Sequence, residues 1–391
     1  RCVTLANVLR GCGIDVSFIC REHLGHLSDL LRRHALPVTL LPAPPPSAVS
    51  IDVEDYAVWL GVPVGEDAAQ TIEALGGERP DWLVVDHYSL GLKWEREIRR
   101  HVRRLAVIDD FPTRRHECDL LLNQNYSTES PELYRQRLPD STRALLGPHY
   151  ALLARQYAEY RQVQPVRGPQ CERVLVFFGG ADPHNMTERA LAALSQPECQ
   201  SLEVDLVVGI NHPYREALAA AAARRPLTRL HGSRPHLADL IARADVAIGA
   251  GGAMTWERMC LGLPSLVVSC ADNQQPACDA LHQAGLIRYL GHWSTIQSSE
   301  IAAAVLVLAK DSSARTDLAL RGQAEVDGLG ASRVAEVMAP TVATELRLVP
   351  DHHTTPSRSF SLYAQQLAVG SIRFEVDGDA DHRVDHSLDP C

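Results

Sequence analysis

The feature that most constrains this chain of 391 residues is a repeated alternation of short amphipathic helices with short apolar strands. In the first half, segments with apolar residues at helical spacing precede runs of β-branched or aromatic residues. These runs lie at 14–20, 37–42, 81–88 and 105–111. Because parallel strands need a crossover between them, usually a helix, the alternation predicts an α/β fold with parallel strands covered on both faces.

A polar stretch containing proline and glycine, QVQPVRGPQCE at 162–172, separates two such series and predicts a linker. It places one Rossmann-like, doubly wound domain at 1–161 and a second at 173–340. After about residue 340 the sequence becomes rich in histidine and typical of β-structure. We therefore expect 341–391 to be a separate, partial β-rich segment or a mobile, charged extension.

The composition favours a small ligand over a polymer. The net charge is -10, and no run of Lys and Arg forms a stripe that could neutralise a nucleic-acid backbone. No apolar stretch reaches the roughly 18 residues that cross a bilayer. The ten cysteines include no CxxC pair and no spacing typical of a zinc site, which favours a reduced, cytoplasmic protein. No nucleic acid, membrane span, metal or cofactor is predicted.

Two glycine-rich turns follow strands of the second series. Gly179 and Gly180 come after VLVFF, and Gly251 and Gly252 come after DVAI. Glycine lets the backbone approach a ligand closely, and free amides at the positive end of a following helix can hold a phosphate or diphosphate. Each turn alone could simply join a strand to a helix. Two of them at the carboxyl ends of strands favour a nucleotide site.

Polar residues downstream of the second turn are candidates for the rest of that site. Thr255 and Glu257 lie in the first turns of the next helix, and a carboxylate can accept two hydrogen bonds from a ribose diol. An acidic residue placed favourably near a helix N-terminus is the alternative for Glu257. Asn273 and Gln274 follow the next strand, where their amides could read a base or sugar edge or could form an ordinary loop turn.

The first series ends two of its strands in polar residues. Asp86, His87 and Tyr88 follow WLVV and are candidate catalytic residues, since such positions face the ligand cleft in this architecture. His87 could be a general base or a structural histidine, and Tyr88 could stack on a sugar or hydrogen-bond to it.

Asp109 and Asp110 follow the strand LAVI. Adjacent residues in extended chain point to opposite sides, so a shared metal is disfavoured. Helix capping, or a salt bridge to Arg114 or Arg115, is the prediction for this pair.

Five segments carry a resemblance to a known family. They are DWLVVDHYSLGLKWE, LAVIDDFPTRRHECDLLLNQNY, GPHYALL, VLVFFGGADPHNMT and DVAIGAGGAMTWERMCLGLPSLVVSCADNQ. Over about residues 1–335 the chain resembles the UDP-2,4-diacetamido-2,4,6-trideoxy-β-L-altropyranose hydrolases of pseudaminic acid biosynthesis. Its broader resemblance is to GT-B glycosyltransferases similar to the one that adds N-acetylglucosamine to a lipid-linked peptidoglycan precursor.

The resemblance implies a GT-B fold in which two Rossmann-like domains face a cleft and the second holds UDP. The implied reaction is attack of water on the anomeric carbon with departure of UDP, without a metal. By resemblance, Gly251, Gly252 and Thr255 would meet the phosphates, Glu257 the ribose, Asn273 and Gln274 the substrate, and Tyr88 the sugar.

The sequence departs from the family's pattern at two places. The family's general-base histidine precedes the segment that here begins RCVTLANVL, so a chain starting at Arg1 is expected to be truncated, to bind UDP-sugar and to hydrolyse it poorly. The family tends to have Arg after Tyr-Ala-Leu-Leu, where Ala154 stands here with Arg155 next; whether Arg155 substitutes as a substrate contact is open. The alternatives are a GT-B glycosyltransferase and a UDP-sugar binding module without activity.

The final segment carries a second resemblance. LAVGSIRFEVDGDADHRVDHSLDP resembles the central hairpin of a GNAT-type acetyltransferase before its acyl-CoA loop. The arginine- and glycine-rich loop that would bind the pyrophosphate of coenzyme A does not follow. A fused, partial acetyltransferase domain is therefore expected to be present without acetyl transfer.

Overall fold

The structure is a computed structural model that describes most of the chain. The described residues are 1–23, 26–45, 59–164, 167–180, 182–209 and 212–339, followed by four separate strands between 347 and 385. The chain divides into two compact units, Arg1–Val334 and Ala335–Cys391. Among the described residues no helix is both long and apolar enough to cross a bilayer.

Helices and strands alternate in the first half of the larger unit as far as residue 108, as the sequence predicts. The next strand, at 120–123, follows without an intervening helix, and neither it nor the strand at 143–146 was predicted. The helices are α1 (Cys2–Gly11), α2 (Ser28–Arg33), α3 (Val64–Ala74), α4 (Leu92–Ile98), α5 (Ser130–Arg135) and α6 (Arg155–Val163). The strands are β1 (Phe18–Arg21), β2 (Val38–Leu41), β3 (Trp82–Val85), β4 (Arg104–Ile108), β5 (Leu120–Asn123) and β6 (Arg143–Leu146). All described pairings are parallel, but they form two sheets, β1-β2 and β3-β4-β5-β6.

The four-stranded sheet is covered by apolar side chains. Every residue of β5 is buried, and Leu105 and Val107 of β4 pack in one cluster with Trp94 and Ile98 of α4. Burial on both faces is what makes these strands near-continuous apolar runs in the sequence.

The second half of the larger unit has a longer alternation. Its helices are α7 (Met186–Leu194), α8 (Arg215–Arg224), α9 (Ala238–Arg243), α10 (Met254–Cys260), α11 (Gln275–Gln283), α12 (Ser298–Lys310), α13 (Ser312–Glu325) and α14 (Gly330–Met338), the last extending into the second unit. Its strands are β7 (Arg173–Phe177), β8 (Glu203–Val207), β9 (Thr228–His231), β10 (Val246–Ala250), β11 (Ser265–Ser269) and β12 (Arg288–His292).

These six strands form one parallel sheet in the order β12-β11-β10-β7-β8-β9. This is a doubly wound order, and it reverses direction between β7 and β10. Neither β9 nor β12 was predicted from the sequence. Both are edge strands whose residues are exposed or only partly buried, so TRLH and RYLGH lack the apolar run of a central strand.

Helix α6, which begins in the predicted domain 1–161 and continues through residue 163 of the predicted linker 162–172, packs on the second sheet. Its Tyr157 is 2% exposed and shares a cluster with Leu237 and Trp256. In the rest of that linker, residues 165 and 166 lie outside the described part of the chain. The domain limits at 161, 173 and 340 stay predictions.

The smaller unit contains the strands β13 (Arg347–Pro350), β14 (Arg358–Ala364), β15 (Leu367–Phe374) and β16 (Val384–Asp385). They pair antiparallel in sequence order. The β-rich character expected for this segment is therefore present in the described strands.

Candidate functional site

The two glycine turns of the second half follow neighbouring strands. β7 pairs with β10, and Phe177 lies opposite Gly249, so the carboxyl ends of both strands meet at one edge. This is the position at which the strand order reverses, where open α/β sheets bind their ligands. The structure thus brings both predicted turns to the topological switch point.

The glycines of these turns are required for different reasons. Gly179 has φ +99° and Gly252 has φ +106°, conformations that residues with a side chain rarely adopt. Gly251 is required by space, because a Cβ there would lie 2.6 Å from Sγ of Cys278. A Cβ on Gly252 would meet only Nε2 of Gln274, at 3.8 Å, so this side of the turn is open.

The first turn does not offer the free helix amides that the sequence analysis assigned to it. Asp182 accepts hydrogen bonds from the amides of Met186 at 2.9 Å and Thr187 at 2.8 Å, at the start of α7. These amides are therefore satisfied by a buried carboxylate. At this turn, the backbone of Gly179 and Gly180 is therefore the part of the predicted site that can still contact a ligand.

The second turn keeps donors for an anion. The amide of Gly251 donates to Val268, but within the described residues the amides of Gly252 and Ala253 donate to no other backbone group. Gln274 accepts from the amide of Cys270 at 3.0 Å through its oxygen, which leaves its NH₂ group beside Gly252. The helix that follows, α10, has only seven residues, so these local amides matter more here than a helix dipole.

Thr255 lies below this turn rather than on its open side. It is 1% exposed, and its hydroxyl accepts a hydrogen bond from Arg258 at 3.1 Å. The arrangement does not favour the predicted contact of this hydroxyl with a phosphate, because the oxygen is buried and already engaged.

Glu257 is half-buried and is held by a residue that the sequence analysis missed. The hydroxyl of Tyr157 donates to the Glu257 carboxylate and accepts from the amide of Leu237 at 3.2 Å. Burial raises the pKa of Glu257 to about 7, although the Tyr157 hydrogen bond and the charge of Arg258 act in the opposite direction. Glu257 is therefore poised to change charge near neutral pH.

The remaining predicted substrate contacts, two in the second half and one in α6, differ in position. Asn273 and Gln274 lie in a short 3-10 helix after β11, and Asn273 is exposed. Arg155 begins α6, has a side chain that is 86% exposed and pairs with Glu159 on the same helix at 2.7 Å. The structure gives no support for Arg155 as a substrate contact.

A second polar cluster lies at the carboxyl ends of β3 and β4. These strands are neighbours, so Asp86 and Tyr88 come close to Asp110. Arg1 pairs with Asp86 at 2.6 Å and with Asp110 at 3.2 Å, and the Tyr88 hydroxyl donates to Asp110. Burial alone would raise the pKa of Asp86, but the hydrogen bond and charge of Arg1 outweigh it and lower that pKa. Burial and Asp110 raise the pKa of Tyr88, so its hydroxyl keeps its proton.

His87 is not arranged as a general base. Burial lowers its pKa, which favours the neutral ring, and its Nδ1 accepts a hydrogen bond from the amide of Ser89 at 3.1 Å. In that tautomer the proton is on Nε2, so neither nitrogen offers a lone pair to a water molecule. A structural or donor role fits His87 better.

The Asp109 side chain belongs to a buried ion cluster. Arg114 pairs with Asp109 at 3.2 Å, which confirms the predicted salt bridge. His116 lies between Asp109 and Glu95, with nitrogen–oxygen distances of 2.7 Å and 2.6 Å. No group of three or more His, Cys, Asp and Glu side chains among the described residues is placed to hold a metal ion.

Comparison with curated proteins finds distant relatives, and no family model matches the chain. The spore coat polysaccharide biosynthesis protein SpsG of Bacillus subtilis is 26% identical over 229 residues, covering 58% of this chain and 66% of SpsG. The UDP-2,4-diacetamido-2,4,6-trideoxy-beta-L-altropyranose hydrolase of Campylobacter jejuni is 20% identical over 220 residues, covering 56% and 77%. An uncharacterised protein of Methanocaldococcus jannaschii, MJ1062, is 21% identical over 207 residues, and the match spans 43% of its length. The chain thus spans less than two thirds of the length of SpsG and of MJ1062.

Solved structures resemble the larger part of the chain. MurG of Acinetobacter baumannii has a TM-score of 0.61 at 14% identity and covers 87% of this chain and 95% of its own. The calicheamicin glycosyltransferase CalG4 has a TM-score of 0.57 at 17% identity, covering 87% and 95%. UGT89C1 of Arabidopsis thaliana with UDP has a TM-score of 0.56 at 13% identity, covering 86% and 95%. None of these comparisons supports the acetyltransferase resemblance of 341–391. They show that the chain has the α/β GT-B fold with Rossmann-like halves.

Proposed function

We propose that this chain is a nucleotide-sugar enzyme of the GT-B type, and that it hydrolyses a UDP-linked 2,4-diacetamido-2,4,6-trideoxy sugar. The observation that carries the proposal is the second glycine turn at the switch point, with open amides at Gly252 and Ala253 and the half-buried Glu257 nearby in α10. The hydrolase from Campylobacter jejuni, whose length this chain covers to 77%, supports the choice of substrate.

The proposed UDP site uses groups of complementary chemistry. The amides of Gly252 and Ala253 and the NH₂ group of Gln274 are donors, and a diphosphate offers only acceptors. The carboxylate of Glu257 is an acceptor for the two hydroxyls of ribose. Asn273, exposed beside Gln274, is assigned to the sugar side of the substrate.

The proposed reaction transfers the sugar to water. The water oxygen bonds to the anomeric carbon, the bond from that carbon to the phosphate oxygen breaks, and UDP leaves with the electron pair. A general base takes the proton from water. At the carboxyl ends of β3 and β4, Asp86 is ionised, and Tyr88 is protonated and donates to Asp110. We therefore assign the Tyr88 oxygen as an acceptor from a sugar hydroxyl and keep Asp86 as the candidate proton acceptor.

A glycosyltransferase is the second candidate, because CalG4 shares the fold and is named as one. It would use the same UDP contacts and pass the sugar to an acceptor molecule instead of water. A UDP-sugar binding module without activity is the third.

Calorimetric titration with UDP, followed by a UDP-release assay with the diacetamido sugar nucleotide, tests the proposal. Release in ¹⁸O-labelled water with label on the sugar would support hydrolysis. Release that occurs only when an acceptor alcohol is added, without label, would support the transferase. Binding without release under either condition would support the binding module, and absence of UDP binding would overturn the site assignment.

Gly252→Ala is expected to weaken UDP binding by about tenfold or more, or about 1.4 kcal/mol. At φ +106° a side chain strains the backbone, and relief of that strain would turn the amides away from the anion. Gly77→Ala is the matched control, because Gly77 has φ +82° at the end of α3, in the first half of the chain. Calorimetry should show normal UDP affinity for the control, and an equal loss in both variants would contradict the prediction.

A further inference from the structure

A buried arginine lies directly under the second glycine turn. Arg258 is 2% exposed, and one guanidinium nitrogen donates to the carbonyl of Ala250 at 2.9 Å and to the Thr255 hydroxyl at 3.1 Å. Another nitrogen lies 2.5 Å from where a Cβ of Gly249 would stand. Gly249 therefore makes room for the guanidinium, and Arg258 fixes the first peptide of the turn with its carbonyl inward.

The charge of Arg258 is incompletely compensated by the protein. The oxygens that it binds are neutral, and its Nε is buried with no hydrogen-bond partner among the described residues. Burial lowers its pKa to about 10, so it is still protonated at neutral pH, while its neighbour Glu257 titrates near 7. Because the neighbouring carboxylate is only partly ionised at neutral pH, the buried charge of Arg258 is costly, and an anion close by would offset that cost.

Other buried arginines give a useful comparison. Arg225 is 5% exposed and Arg315 is 6% exposed, and both bind backbone carbonyls. A buried arginine that donates to several backbone carbonyls is therefore a structural feature that recurs in this chain. Arg258 differs from Arg225 and Arg315 in two respects. Its Nε is buried without a hydrogen-bond partner among the described residues, and it binds the carbonyl of Ala250, the first residue of an open turn.

We propose that Arg258 is a positioning residue for the diphosphate of the ligand. Its carbonyl bond to Ala250 sets the turn so that the following amides of Gly252 and Ala253 stay available, and its charge is balanced by the anion that they bind. The inference rests on the proposed UDP site and adds a residue to which the sequence analysis gave no role.

Binding to UDP and to uridine separates this role from a merely structural one, since uridine lacks the phosphates. Arg258→Met should weaken UDP binding by about tenfold or more, as for loss of a charge-assisted contact, and change uridine affinity less than about twofold. Arg258→Lys keeps the charge without the planar fork and should fall between wild type and Arg258→Met. Arg315→Met removes a buried arginine in α13 and should leave both affinities unchanged.

The outcomes distinguish this inference from the proposed function. If wild type binds UDP and Arg258→Met binds it equally well, or loses UDP and uridine affinity alike, the positioning role is overturned while the UDP site stands. If wild type binds no UDP, the proposed function itself fails. Should Arg258→Met not fold, equal UDP affinity of Arg258→Lys and wild type would overturn the proposal, and a selective loss of UDP affinity would support it.

Discussion

Glu257→Gln is expected to weaken UDP binding by more than about tenfold at pH 8, about 1.4 kcal/mol or more. Glutamine keeps the size of the side chain but loses the charge that strengthens hydrogen bonds from a ribose diol. Calorimetry with UDP measures the effect. Unchanged affinity at pH 8 would remove Glu257 from the binding site.

The pH dependence makes this prediction sharper. Because burial raises the pKa of Glu257 to about 7 in the free protein, its carboxylate is ionised above that pH and protonated below it. Wild-type affinity should therefore fall as the pH decreases through 7, and wild type and Glu257→Gln should converge by about pH 5. The variant also controls for titration of the terminal phosphate of UDP, which affects both proteins alike.

Tyr157→Phe tests how this carboxylate is held. The Tyr157 hydroxyl donates to Glu257 and favours its ionised form, so its removal should raise the pKa of Glu257 further. The midpoint of the pH dependence of UDP affinity should then move to higher pH. A residue that only filled space would change affinity without moving the midpoint.

The sequence predicted the fold where strands are buried on both faces. Runs such as those of β4, β10 and β11 are continuously apolar because helices cover both sides of the sheet, and their order along the chain implied parallel pairing. The edge strands β9 and β12 were missed because exposed edges need no such run. The separation of β1-β2 from β3-β6 depends on pairing between distant segments, which periodicity does not record.

The parts of the candidate site whose positions follow from the order of the strands could be predicted from the sequence. Gly251 follows β10 and Asp86 follows β3, and within each of these two parallel sheets the carboxyl ends of neighbouring strands lie at one edge. Partners from elsewhere were not predictable in the same way: Tyr157 and Glu257 are 100 positions apart, and the pairing appears only when α6 packs on the second sheet. Asp182 was visible beside the first turn, but that its carboxylate caps α7 depends on a local backbone conformation that composition does not specify.

The buried cluster near Asp110 bears on function through stability. His116 lies in the loop between β4 and β5, and nothing in the sequence marked it out. It is nevertheless fully buried between two carboxylates. Asp109 of this cluster accepts from the amide of Phe111 at 2.9 Å, and Glu95 accepts from the amide of Glu117 at 2.6 Å. The cluster thus fixes the loop after β4 on which Asp110 stands.

His116→Gln is accordingly expected to lower the free energy of unfolding by about 3 to 5 kcal/mol near pH 6, because it removes the cation between the buried carboxylates of Glu95 and Asp109 and leaves only Arg114 beside Asp109. Burial alone would lower the pKa of His116, but its hydrogen bonds to Asp109 and Glu95 outweigh this and raise it to about 9.

Since the folded-state pKa of His116 lies above the unfolded value of 6.5, its contribution is fully present below pH 6.5 and is lost as the pH rises through 9. The difference in stability between wild type and His116→Gln should therefore shrink over that range. Urea unfolding at several pH values, with hydrogen exchange of peptides from α4 and β4, measures this difference.

Arg96→Gln is the control, because it removes the exposed ion pair with Glu117 in the same region and should cost less than about 1 kcal/mol. A difference for His116→Gln that stayed constant from pH 6 to 9 would show that the buried histidine is neutral, and would leave its hydrogen bonds rather than its charge as the source of the stability.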